Sequence, residues 1–260
     1  MGTISMLTLQ DLLDSDISRK DKWLIKVGQL ENKNKFSDNF RNLHLRQGIL
    51  ATSLGDYFQA KFDFAICGLI DELRISQFNS RLFDYGLPQV CYVLLSDYEG
   101  LIHRYAKLRY KAHGQIPDMD TRVLKGESPI WCNTIQFFME DNVEGVKRNL
   151  DILEAITLKR LSKKEELLRI DYAYYQALLE KDRAKCEELL AELISPTIHK
   201  KRNDNPILNQ YISQPALGYA KLAWRQGIKV DIDSPLVPKE LLPIKANDDY
   251  PIPYDFLKES

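Results

Sequence analysis

The sequence predicts an all-α protein: stacked antiparallel helical hairpins, α-solenoid-like or packed as a compact helical array, with an extended Pro-rich C-terminal strap. Three observations predict it. Residues 165–193 (EELLRIDYAYYQALLEKDRAKCEELLAEL) carry two apolar stripes at helical spacing, Leu167, Ile170, Tyr174, Ala177 and Leu178, then Cys186, Leu189, Leu190 and Leu193. A polar turn separates them, and Asp182 is placed to cap the second helix. Capping-type residues recur at Asp56, Asp97, Asn142 and Asp182, spaced 41, 45 and 40 residues apart, with apolar positions repeating four, eight and eleven residues later and five before. A regular turn inside a fixed apolar pattern marks helical pairs that bury their stripes only by stacking. The third observation is the tail, where five of the eleven prolines follow Gly227. It cannot be continuous helix, yet its leucines and tyrosines argue against disorder.

The elements follow in order. Residues 7–14 and 17–30 read as opening helices with Trp23, Leu24 and Val27 on one side, and 33–38 as a polar connector. A helix over 38–54 ends at Gly55, and the next runs to about Ile75, with Gln59 placed to complete a capping box with Asp56. A helix over 81–95 is expected to break near Gly86 and Pro88, and another spans 97–112. Residues 113–128 read as a loop that could subdivide the body. Ser128-Pro129 opens a helix to Glu140, and 142–156 and the central hairpin follow. Residues 195–202 read as a loop, a helical pair ends at Gly227, and 228–233 alternates as a short strand would. The domain division is therefore 1–227 for the hairpins and 228–260 for the strap.

Composition narrows the function. Thirty-six basic residues face 37 acidic ones, for a net charge of −1, so no basic excess marks a nucleic-acid binder. The basic runs at 159–164 and 199–202 read as solvated loops. Cys67, Cys91, Cys132 and Cys186 are isolated, which argues for a reducing compartment and against a disulfide framework. No signal-like or membrane-spanning run is present, and the expected location is cytoplasmic. No phosphate-binding glycine loop or zinc spacing occurs, and the four histidines stand far apart, so no catalytic residue, metal or cofactor is assigned. The D-x-D triplets at Asp118/Asp120 and Asp231/Asp233 carry the one metal-enzyme alternative. Asp171-Tyr172-Ala173-Tyr174-Tyr175 is read as core packing rather than as a contact patch.

The tail also carries a resemblance. Gly227, then Val230-Asp231-Ile232-Asp233, Val237-Pro238-Lys239-Glu240-Leu241-Leu242-Pro243 and Pro253-Tyr254-Asp255-Phe256 resemble the closing segment of the immunity protein 49 family. The resemblance implies a non-catalytic bacterial protein that neutralises a cognate polymorphic toxin by forming a tight complex. A helical scaffold docking a peptide or protein partner is the alternative. For an inhibitor, Asp248, Asp249, Tyr250, Tyr254 and Asp255 offer acids and aromatics to a basic partner, although Tyr250, Tyr254 and Phe256 would serve equally as buried pins. The oligomeric state is not legible.

Overall fold

The computed structural model describes residues 8–28, 30–84, 87–203 and 205–258, and the side chains of 30–32 and 87–89 fall outside the description. Its helices are α1 Leu9–Ile17, α2 Lys20–Val27, α3 Leu30–Ser53, α4 Tyr57–Phe78, α5 Leu87–Leu95, α6 Glu99–Ala106, α7 Met119–Leu124 and α8 Ile130–Met139. They continue with α9 Val143–Ile152, α10 Leu158–Arg160, α11 Leu168–Leu179, α12 Arg183–Ile194, α13 Pro196–Arg202, α14 Gln214–Arg225 and α15 Asp255–Lys258. The fold is all-α: among the described residues the only β pairing is a single bridge between His113 and Ile116.

Four helical pairs, α3/α4, α5/α6, α8/α9 and α11/α12, share one turn. Each places a left-handed residue between the helices: Gly55, Asp97, Asp141 and Lys181, at φ of 77°, 54°, 52° and 58°. At three of them the next residue sends its N–H back five residues, Asp56 to Ala51 O, Asn142 to Phe137 O and Asp182 to Ala177 O, each at 2.9 Å. Those same residues then cap the next helix, accepting from the N–H of Gln59, Gly145 and Lys185. One residue thus closes the first helix and opens the second, which explains the regular turn in the sequence. The α5/α6 turn departs. Asp97 occupies the left-handed position, Tyr98 stands at the cap without a side-chain cap bond, and its N–H goes to Ser96 Oγ at 3.1 Å. The Asp97 carboxylate is freed for another task.

Burial separates inner from outer helices. Residues 63–71 of α4, 90–95 of α5, 130–138 of α8 and 215–223 of α14 are buried on every side, as expected of helices enclosed by others. One close crossing fixes α14 on α5: a Cβ at Gly218 would lie 2.1 Å from Cys91 Sγ. The buried apolar residues form one cluster running from Leu9 to Leu257.

Several local expectations are corrected. Residues 33–38 are not a connector but part of α3, because Asn34 and Asp38 hydrogen-bond to Arg74 of α4 and make a polar face part of the packing. Gln59 does not complete a capping box; its amide turns to Asp63 Oδ2 at 3.0 Å. The helix expected over 97–112 stops at Ala106, where Arg109 Nη1 donates to the carbonyls of Ala106 and Leu108. The expected loop at 113–128 contains α7, capped by Asp118 through Thr121 N at 2.9 Å. The expected loop at 195–202 holds α13, Pro196–Arg202, with Pro196 in its first turn and Arg202 anchored on buried Asp171. Residues 228–233 form no strand. The alternation is real, with Ile228, Val230 and Ile232 buried, but among the described residues no partner strand pairs with them, and they join the apolar core instead.

Candidate partner-binding face

The tail is held by a buried charge cluster. Asp97 and Lys221 are both fully buried and lie 2.7 Å apart. Lys221 Nζ also donates to the carbonyls of Leu241, Leu242 and Pro243 at 2.8, 3.2 and 2.9 Å. Lys61 of α4 reaches the same carboxylate at 2.8 Å and the Lys245 carbonyl at 2.6 Å, and Arg225 joins at 3.2 Å. One carboxylate thus gathers three cations, two of which grip the backbone of 241–245. Burial pulls the Lys221 ammonium down to about 8, against the opposing pull of Asp97.

Beyond that clamp the tail turns outward. Asp248 and Asp249 are exposed. Tyr250 is half-buried, stacked on Tyr98 with ring centroids 4.6 Å apart and planes 6° apart, and its hydroxyl donates to Ser96 O. Its ring pins the segment while the two aspartates face solvent. Tyr254 is 4% exposed; its hydroxyl meets His44 Nε2 at 2.7 Å, and its ring packs on Phe40 and Phe256. Because His44 Nδ1 faces the Asp63 carboxylate at 2.6 Å, that nitrogen carries a proton, and the ring links Asp63 to Tyr254. Asp255 is exposed, in the first turn of α15, and a hydrogen bond from Lys258 holds its carboxyl below the ordinary range. Asp248, Asp249 and Tyr250 therefore share one stretch pinned to the α5/α6 turn, whereas Tyr254 and Asp255 belong to a second stretch anchored on α3.

Sequence reasoning missed the apolar part of this face. Phe58 is 56% exposed, Leu54 75% and Ile244 49%. Phe58 lies two residues after Asp56, off the repeating buried positions, and that offset is the signal that could have found it. A groove of about 300 Å³ runs beside it, bordered by Tyr57, Glu240, Lys245 and Asp248, with Lys61 at its edge. A second, of about 380 Å³, lies between Tyr57, Tyr211, Asp233 and Glu240. The Tyr57 hydroxyl donates to Glu240 at 3.2 Å, so one contact borders both grooves.

The residues carrying the metal alternative are otherwise engaged. Asp118 caps α7, Asp120 pairs with Arg109 at 3.0 Å, and Lys239 pairs with Asp231 at 2.8 Å and Asp233 at 3.8 Å. Among the described residues no group of three or more His, Cys, Asp or Glu side chains could hold a metal ion. Asp171, Tyr174 and Tyr175 are fully buried: Arg202 forks onto Asp171 at 2.6 and 2.9 Å, and Tyr219 donates to the same carboxylate. No helix among the described residues is long and apolar enough to cross a membrane.

No curated protein and no solved structure matches the chain. The family model described as immunity protein 49 matches residues 71–241, which takes in α5 to α14, both members of the Asp97–Lys221 pair and the strap as far as Leu241. The chain belongs to the immunity protein 49 family.

Proposed function

We propose that this protein is an immunity protein that binds a cognate bacterial polymorphic toxin in the cytoplasm and neutralises it by forming a tight complex, without catalysis. Membership of the immunity protein 49 family carries the reading. The face formed by Phe58, Ile244, Asp248, Asp249 and Tyr250 is the docking surface. Exposed apolar side chains next to acids suit a partner whose own surface is basic: the acids speed encounter, and the desolvated aromatic holds the complex. Asp255 extends the acidic rim. Tyr254 acts from beneath, by fixing the end of the tail.

The test is co-expression with the toxin domain encoded beside this gene. The wild-type chain restores growth and co-elutes with the toxin. Phe58→Ala weakens the complex by at least about ten-fold, as loss of a buried aromatic anchor does. Asp248→Lys with Asp249→Lys slows association and removes most of its salt dependence. Failure of the chain to bind or rescue against any neighbouring toxin domain overturns the reading. Intact rescue with unchanged affinity in both variants overturns the docking surface alone.

A further inference from the structure

A cavity of about 480 Å³ opens between α3, α5 and the chain from the end of α13 to the start of α14. Its size is that of a small-molecule site, for which ~300–1,000 Å³ is usual. Two guanidinium groups line it, Arg41 and Arg202. Each is fixed by a fully buried carboxylate: Arg41 Nε donates to Asp71 at 2.8 Å, and Arg202 forks onto Asp171. Burial works against both charges, but Asp71 and Asp171 outweigh it, so both arginines stay protonated. Arg41 is 6% exposed, and its Nη2 makes no hydrogen bond among the described residues.

The rest of the lining has matching chemistry. Asn42, Asn205 and Asn209 supply amides, and Leu45, Leu208 and Ile212 an apolar wall. Asn205 Oδ1 accepts from the N–H of Ile207 and Leu208 at 3.0 and 3.1 Å, which leaves its NH2 out of that turn. No carboxylate lines the cavity among the described residues. Preorganised guanidinium and amide donors above an apolar floor fit a ligand with one acceptor-rich end.

We propose that this cavity binds a small organic anion with a carboxylate or phosphate head and a short apolar body. The occupant would bridge α3 to the α13–α14 connection, and so tie the N-terminal helices to the body of the fold. This function is separate from toxin binding.

Thermal unfolding of the full chain tests it, with inorganic phosphate and citrate as probes against sodium chloride at matched ionic strength. The expected result is a melting temperature that rises and saturates in the millimolar range with at least one probe. The probe that saturates lower names the head group. Asn205→Asp keeps the acceptor that the turn requires while adding a negative charge to the lining. In that variant the half-saturating concentration rises at least about ten-fold, because like charges repel. A gradual rise without saturation, equal in wild type and N205D, is surface exclusion of the salt and overturns the proposal.

Discussion

Lys221 Nζ stands 2.7 Å from Asp97 Oδ1, and neither side chain has any exposed surface. A salt bridge so placed gains little over an apolar pair, but breaking it is expensive, because the remaining charge is stranded. Asp97→Asn leaves Lys61, Lys221 and Arg225 gathered around a neutral amide, whereas Lys221→Met leaves Asp97 with two cations but takes the donor from the carbonyls of Leu241, Leu242 and Pro243. We expect each change to destabilise by about 3–5 kcal/mol. Urea unfolding midpoints measure both, and a nearly neutral D97N would mean that Asp97 is not the hub.

The same pair shows how far the sequence could be read. The regular spacing of Asp56, Asp97, Asn142 and Asp182 marks the helical pairs, because three of these residues cap a helix through a local bond, and local bonds leave local patterns. Asp97 fits the spacing but performs a different task. Its partners lie 36 and 124 positions away, at Lys61 and Lys221, and no window of sequence connects them. Residues 33–38 and 195–202 look like a connector and a loop for the same reason: Asp38 and Arg202 are helical because of Arg74 and Asp171, which are distant in sequence. Of the candidate face, the acids were legible. The exposure of Phe58 and Ile244 was visible only as an apolar residue off the repeat and one beside a proline.

Tyr254 ends a buried chain of hydrogen bonds that runs through His44 to Asp63. Tyr254→Phe keeps the ring stack on Phe40 and Phe256 but leaves His44 Nε2 without its hydrogen-bond partner. An unsatisfied buried polar atom costs about 1–3 kcal/mol. We expect that loss in the urea midpoint, with faster amide exchange confined to 254–258. A fully neutral Y254F would show that ring packing alone holds the tail.

Alkaline pH should unfold the protein through its buried phenols and thiols. Burial raises Tyr105, Tyr174, Tyr175 and Tyr219 well above the ordinary tyrosine value, and pushes the Cys91 thiol up to about 12. In the unfolded chain thiols ionise near ~8.5 and phenols near ~10, so there the unfolded state sheds protons that the native state keeps. Stability is full below those values and falls as pH rises through them. Lys221 acts in the opposite sense between about 8 and its ordinary 10.5, because there the unfolded chain holds the extra proton. One lysine is outnumbered, and the expected profile is nearly level to about pH 9, then steeply falling. Urea midpoints from pH 7 to 11 measure it, and an unchanged midpoint at pH 11 would contradict the burial of these groups.

Gly218 gives the sharpest packing test. A methyl group there would sit 2.1 Å from Cys91 Sγ and 2.3 Å from Cys91 Cβ, so relief requires α14 and α5 to move apart. Helix propensity alone favours Gly→Ala by about 1 kcal/mol, and overpacking typically costs 1–3 kcal/mol or more. With the Cys91 backbone also near, at 3.3 Å to Cα, overpacking wins, and Gly218→Ala should destabilise. Cys91→Ala keeps the offending Cβ and should rescue little, whereas Cys91→Gly removes it and should recover more of the loss. A double-mutant cycle in urea reads the coupling between the two positions. Additive behaviour would mean that α14 and α5 do not meet at this crossing, and that the Lys221 ammonium is carried to Asp97 by some other contact.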